Sequence, residues 1–323
     1  MTTPSSSIQL SEIVPTIYAG SRLDQAAAAM FPDFSRSRLK DWIKSGALTI
    51  DGRSLKPNSK LGGGELLELE AELAADGAFL PEAMALDICF EDEHILVVNK
   101  PAGLVVHPAA GNWSGTLLNG LLHYCPELAQ IPRAGIVHRL DKGTSGLMVV
   151  AKSLKAQLSL VEQLQARTVT RRYWALVRGE PAAEGCVDAA IGRHSSQRTK
   201  MAVLTSGGKE ARTHYRRLSK LKGFALMELK LETGRTHQIR VHMAHLSHSL
   251  IGDPVYGAKW TAAEKHDASL AAALAFSRQA LHAKALGLIH PCSGETMSWE
   301  LPLAEDFSAL LSAMRQRADA FSG

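Results

Sequence analysis

Asp141 stands where a carboxylate could work on an anionic substrate. In the run Gly135-Ile-Val-His-Arg-Leu-Asp-Lys-Gly-Thr-Ser-Gly146 it lies between His138-Arg139 and Lys142, and Gly143, Thr144, Ser145 and Gly146 follow it. Neighbouring cations favour the charged form of an acid, and a glycine-rich turn lets a ligand approach the backbone. An acid held in that way can serve as nucleophile or base. The plainer reading of an isolated Arg-x-Asp is a surface ion pair that closes a turn.

A second constellation is Thr233-Gly-Arg-Thr-His-Gln-Ile-Arg240, followed by His242, His245 and His248. No cysteine or carboxylate accompanies these histidines, and a cationic neighbourhood opposes a metal ion, so no metal is expected. The run reads instead as a helix whose N-terminal end and arginines face an anion. Tyr173 shares a strand face with Ala175 and Val177, where a tyrosine most simply packs in the core. The segment from Arg193 to Arg212 carries Arg193, His194, Arg198, Lys200, Lys209 and Arg212 among Ser, Thr and Gly. It suits an exposed basic loop that tracks a nucleic-acid backbone, or one that is merely solvated.

Positioning these groups requires a sizeable fold. The chain has 323 residues, 46% of them hydrophobic, which supports one large domain and something smaller. Net charge is only +4, so affinity for nucleic acid would have to come from clusters. The four cysteines form no C-x-x-C pair, which indicates reduced thiols and a cytoplasmic protein. No leader pattern or membrane-length apolar run is present, and no glycine loop of the dinucleotide-binding kind, so neither membrane nor nucleotide cofactor is expected.

Residues 1–20 read as a flexible arm. Ser21, with Asp24 three residues on, and Ser35 read as N-caps of two helices, the second ended by Gly46. In that second helix Leu39, Trp42 and Ile43 share one side, and Arg36, Arg38, Lys40 and Lys44 lie largely away from it. Ala47 to Leu55 reads as a hairpin about Asp51-Gly52, and Gly62-Gly63-Gly64 precedes a strand to Glu70. Residues 71–85 read as a linker. Strands follow at Ile95 to Lys100, stopped by Pro101, at Leu147 to Ala151, Thr170 to Arg178, Phe224 to Glu232 and Thr296 to Leu301. Ser153 caps a helix whose Leu154, Leu158, Val161 and Leu164 are expected to face the core. The alanine-rich stretch Thr261 to Phe276 suggests a peripheral helix, and Phe307, Leu310, Leu311 and Met314 a closing one.

Taken together, His138-Arg-Leu-Asp141 with Thr144-Ser-Gly146, Asn99-Lys-Pro101 with His107-Pro108, Gly234 to Arg240 and Gly252-Asp-Pro-Val-Tyr-Gly257 resemble the RNA pseudouridine synthases. Two small helices, the second basic, then a hairpin and glycine turn resemble an S4-type RNA-binding domain. The resemblance covers nearly everything after residue 20. It implies an α+β protein: an S4-like domain at 21–70 and a catalytic domain at 86–323 with a mixed, mostly antiparallel sheet.

By the same resemblance Asp141 is the catalytic acid, Arg240 pairs with it, Tyr173 stacks on the target base, and Arg139 fills the space that base vacates. His138, Arg235 and His237 are then expected RNA contacts, with Arg36, Arg38, Lys40 and Lys44 of the small domain; Arg198 and Lys200 are expected contacts only from the basic composition of their segment. No metal or nucleotide is implied. His107 to Asn112 and Thr116 to Asn119 are most similar to the branch that acts on large-subunit (23S) ribosomal RNA, which implies that RNA or a ribosomal precursor particle as partner, in the helix 69 stem-loop. The competing readings are a non-catalytic ribosome-assembly factor and a synthase acting on other ribosomal or transfer RNA uridines. One departure is Gly143, where many relatives carry an acid.

Overall fold

A computed structural model of the chain describes residues 6–31, 34, 36–73, 79–108, 112–197 and 200–320. It divides into two compact units, residues 1–78 and 79–323.

In the smaller unit, β1 (Ser6–Ile13), β3 (Leu66–Leu73) and β2 (Leu48–Ile50) form an antiparallel sheet with β3 in the centre. Helices α1 (Leu23–Met30) and α2 (Arg36–Ser45) complete the unit, with Leu23, Ala27, Leu39 and Ile43 buried in the same cluster as Leu67 and Leu69. Several expectations change here. Residues 6–13 are not a loose arm, because β1 pairs along its whole length with Leu66 to Leu73 and satisfies that strand's edge.

Helix α1 is capped at Arg22 rather than Ser21, without a side-chain cap bond, and Arg22 instead reaches Asp24 at 2.9 Å. Ser35 lies outside the described residues. The turn at Asp51-Gly52 is present, with both residues at positive φ, but its return is a single bridge from Ile50 to Arg53. The true partner of β2 is β3, which reaches it across the 54–65 loop. Leu39 and Ile43 are buried while Lys40 and Lys44 are exposed, so α2 presents its lysines away from the core.

The larger unit holds a nine-stranded sheet. Its strands are β4 (Ile88–Glu91), β5 (Ile95–Lys100), β6 (Ser145–Ala151), β7 (Thr170–Arg178), β8 (Glu184–Asp188), β11 (Arg212–Lys220), β12 (Phe224–Leu231), β13 (Leu281–Ile289) and β14 (Thr296–Glu300), and a separate hairpin pairs β9 (Ile191–Arg193) with β10 (Met201–Val203). The strand order is β4-β5-β6-β13-β7-β12-β11-β8, with β14 on β13. Only β6 and β13 run parallel, so the sheet is mixed and mostly antiparallel. Six α-helices accompany it among the described residues: α3 (Leu117–Tyr124), α4 (Leu154–Gln165), α5 (Gln238–His245), α6 (Ala262–His266), α7 (Ala271–Ala275) and α8 (Glu305–Ala320), with short 3-10 turns such as Pro126–Gln130 between them.

Period-two alternation sends side chains to both faces, and both faces are covered. Leu96, Val98, Met148, Val150, Tyr173 and Met227 pack with α3 and α5. Ile95, Val97, Leu147 and Val149 pack with Ala156 and Leu160 of α4, and Leu176, Phe224 and Leu226 with Phe307, Leu310, Leu311 and Met314 of α8. Every residue of β6 is therefore buried.

Three further expectations are corrected in this unit. Residues 79–85 are not a free linker, since Glu82 takes the amide of Gly115 at 2.8 Å and Leu80 accepts from Asn119 Nδ2 at 2.9 Å. Residues 74–78 lie outside the described residues. Leu154 and Leu158 are 61% and 62% exposed, because α4 rests on the sheet through Ala156 and Leu160. The alanine-rich stretch is two short helices, interrupted where the side chain of Asp267 accepts the amide of Ser269.

Candidate active site

Two connections bring the chemistry together. The 136–144 loop leads into β6, and the 232–237 loop leads from β12 into α5; both border a cleft of about 540 Å³. Asp141, Arg139, His138, Tyr173, Arg235, His237 and Arg240 all line it, as does Arg171. Arg240 Nη1 donates to Asp141 Oδ2 at 3.0 Å, across 99 residues of sequence. Its Nε and Nη2 donate to the two oxygens of Asp253 at 2.7 and 2.9 Å. Burial alone would ease the proton off Arg240, but Asp253 and then Asp141 reverse that, so its pKa lies above the usual arginine value. Asp253 would likewise be raised by burial, yet Arg240 and the amides of Tyr256 and Val255 hold its carboxyl below the usual range.

The Asp141 side chain keeps 16% of its surface exposed, so one carboxylate is both held by a cation and open to the cleft. Such an acid can attack an electrophilic carbon or take a proton. His237 caps α5 in a left-handed conformation, with φ of 57°. Its Nε2 is 3.9 Å from Asp141, and its Nδ1 meets the Tyr256 hydroxyl at 2.8 Å. Burial lowers the pKa of His237, with Asp141 partly restoring it.

Tyr173 is 5% exposed, and burial raises its hydroxyl pKa. Arg139 and Arg235 are exposed on the cleft rim, and Arg235 Nε is held by the carbonyl of Glu210 at 2.9 Å. Lys100, 1% exposed, donates to the carbonyls of Pro101, Leu104 and Lys142, which fastens the end of β5 to the Asp141 loop. Burial lowers its pKa to about 7.

The remaining candidates differ in charge state or in place. His138 is no cation: burial pushes its pKa down to about 3, and its Nε2 accepts the amide of Val149 at 3.1 Å. Through that bond it braces the 136–144 loop against β6. Lys200 is in the β9–β10 hairpin and does not line the cleft, and Arg198 lies outside the described residues. The expected basic loop from 193 to 212 is partly strand, and Arg212 is neutralised by Asp188 and Glu232. Lys40 and Lys44 belong to the smaller unit, where the side chains of Arg36 and Arg38 are outside what is described. No group of side chains suited to a metal ion occurs among the described residues, and no helix there is long and apolar enough to cross a membrane.

The sequence reading missed Asp253 and Tyr256. Their signal was the Gly252 to Gly257 turn, which showed as a turn without showing that its acid would face α5.

Residues 94–245 match the family model described as RNA pseudouridylate synthase, and residues 21–67 match the S4 domain. The chain is 55% identical to ribosomal large subunit pseudouridine synthase D of Pseudomonas aeruginosa, covering 98% of this chain and 99% of that protein. The chain belongs to the RNA pseudouridylate synthase family. The pseudouridine synthase of the same name from Escherichia coli K12 is 50% identical, over 95% of each chain. Among solved structures, human RNA pseudouridylate synthase domain containing 4 is similar with a TM-score of 0.56 and 26% identity, covering 71% of this chain and 93% of that one. This pseudouridine synthase thus carries an α+β catalytic fold with an S4 domain before it, and its Asp141, Arg240 and Asp253 all lie outside the S4 segment.

Proposed function

We propose that this synthase isomerises specific uridines of large-subunit (23S) ribosomal RNA to pseudouridine, within the helix 69 stem-loop, with Asp141 as its one catalytic carboxylate. The observation that carries this is the 3.0 Å pair of Asp141 with Arg240 at the wall of an open cleft, in a chain 55% identical to a protein named for the ribosomal large subunit. The target base must leave its stack before its glycosidic bond can be reached, at a cost of about a few kcal/mol that is least in a loop. Tyr173 stacks on the flipped base, which contributes about 1–3 kcal/mol without choosing its identity. Arg139, exposed on the rim, occupies the space left in the RNA. Arg235 and His237 meet the RNA at the cleft, while Lys200 with Arg198, and Lys40 and Lys44 with Arg36 and Arg38, hold phosphates.

The smaller unit, which carries the S4 match at 21–67, and the larger unit from residue 79 then divide the work between holding RNA and performing chemistry, in the cytoplasm where ribosomes assemble. The deciding experiment compares Asp141→Asn with the parent protein on a target stem-loop. RNA binding is retained and no pseudouridine forms; product at the parent rate would remove Asp141 from the mechanism. Mapping pseudouridines in ribosomal RNA with and without the protein tests the target.

A further inference from the structure

The cleft contains two buried arginines with opposite surroundings. Arg240, 4% exposed, is held by two carboxylates. Arg171, 7% exposed, has one hydrogen bond, from Nη2 to the carbonyl of Glu232 at 3.1 Å. Its Nε is buried with no hydrogen-bond partner, and it forms no ion pair among the described residues. The nearby carboxylate of Glu232 is occupied by Arg167, Arg212 and His214. A desolvated cation without a counter-ion opposes folding, so something other than stability must account for it.

Its placement is deliberate in the strand. Arg171 lies two residues before Tyr173 on β7, and alternation puts both against the same cleft. Its charge is felt by the Tyr173 hydroxyl and by the His138 ring. A Cβ on Gly234 would stand 2.9 Å from Arg171 Nη1, so the glycine leaves room for the guanidinium.

We propose that Arg171 is an electrostatic catalyst whose guanidinium stabilises the negative charge on the uracil ring while that ring is detached from ribose. This rests on the function proposed above. When the C1′–N1 bond breaks, its electron pair stays with the base, giving a uracil anion with charge shared among N1, O2 and O4. The sugar is satisfied meanwhile by a bond from Asp141 to C1′ or by loss of the C2′ proton to Asp141. After the base turns, C5 bonds to C1′ and Asp141 is restored; C5 then releases its proton and N1 takes one up, so no outside reagent is needed.

The charge carried by the free base is therefore negative, and a preorganised buried cation is its complement. Arg240 cannot take that part, since with Asp141 and Asp253 it forms a triad of net negative charge. The histidines cannot either: burial pushes His107 down to about 4 and His138 to about 3, and it lowers His237 from the ordinary imidazole value as well. Phosphates are better met by the exposed Arg139 and Arg235 than by a guanidinium sunk beside Tyr173.

The test uses full-length Arg171→Met, Arg171→Lys and Gly234→Ala on stem-loop RNA carrying uridine or 5-fluorouridine at the target. Fluorine withdraws electron density and itself stabilises the base anion, so it makes the enzyme's cation less necessary. Arg171→Met slows single-turnover glycosidic cleavage of uridine about a hundredfold, with Kd changed by less than about threefold. Its defect on 5-fluorouridine is about tenfold smaller, and Arg171→Lys restores most of the rate. The Met variant unfolds at no lower temperature than the parent, because it removes an uncompensated buried charge. Gly234→Ala, which keeps the charge but pushes it aside, repeats the uridine defect and its partial relief by fluorine.

Equal defects on the two bases would overturn the inference, as would a loss confined to Kd and relieved by low salt, which marks a phosphate contact. An active Asp141→Asn protein would sink the underlying reading of the site. A base-independent Arg171 defect beside an inert Asp141→Asn protein sinks only this inference.

Discussion

The guanidinium of Arg240 joins Asp141, whose side chain is 16% exposed, to Asp253, whose side chain is fully buried. The second carboxylate anchors the arginine and leaves its remaining face for the first. Removing the arginine alone strands Asp253 in the protein interior, which costs about 3–5 kcal/mol. Arg240→Met is therefore expected to lower unfolding free energy by that order in urea titration and to abolish pseudouridine formation. Arg240→Met with Asp253→Leu is expected to recover much of the stability and none of the activity. Equal stability of the single and double variants would show that the buried pair is not what holds this corner.

Gly146 lies in the parallel pairing of β6 with β13, opposite Ala283 and next to the Ser145–His282 pair. Its φ is +111°, and a Cβ there would lie 2.3 Å from the Ala283 carbonyl oxygen. Neither the backbone angle nor the space tolerates a side chain, and strain of this kind costs about 1–3 kcal/mol before any clash is counted. Gly146→Ala is expected to lower the melting temperature and, because Asp141 lies just before this strand, to reduce turnover of the folded fraction as well. An unchanged melting curve would contradict the geometry.

Much of this was legible in the residues, and the reasons differ by element. Strands such as Leu147 to Ala151 and the closing helix with Phe307, Leu310, Leu311 and Met314 declare themselves because burial on a fixed period leaves a local pattern. The Asp141–Arg240 pair was legible only through motif resemblance, since nothing local to either run says that they meet. Asp253 was hidden for the same reason: its turn is readable, and its partner lies on another element. The strand at Ser6–Ile13 was missed because a largely polar edge strand owes its order to a partner distant in sequence, from Leu66 to Leu73, not to its own composition. Leu154 and Leu158 were misplaced because a helical stripe indicates a face without saying which neighbour covers it. Arg171 looked like one more strand residue until its lack of a counter-ion could be seen.

His282 gives the fold a dependence on pH. The residue is 1% exposed, its Nδ1 meets Ser145 Oγ at 2.9 Å, and burial, then the charges of Arg278 and Lys284, push its pKa down to about 4. In the unfolded chain the imidazole titrates at about 6.5. Between those values the unfolded state binds a proton that the folded state does not, so stability falls as pH drops below the unfolded value and levels off beneath the folded one. From pH 7 to 5 the loss attributable to this one group is about 2 kcal/mol. Urea unfolding of the parent and of His282→Gln at both pH values checks it: the parent should lose more on acidification, by about that difference. Parallel losses in the two proteins would place the acid sensitivity elsewhere.

Lys40 and Lys44 stand on the outer side of α2, opposite the buried Leu39 and Ile43. Lys44 touches Asp41 at 3.2 Å, but both side chains are largely exposed and such a pair is weak enough to yield to a phosphate. A cation that neutralises one phosphate releases about 0.7–0.9 of a counter-ion, so each such contact steepens the fall of affinity with salt by that amount. Lys40→Gln and Lys44→Gln are expected to shallow the slope of log affinity against log salt accordingly, to weaken binding of target and non-target RNA alike, and to leave the modified position unchanged. A slope identical to that of the parent would mean that this helix face meets only water, and the RNA would then have to be held by the catalytic unit alone.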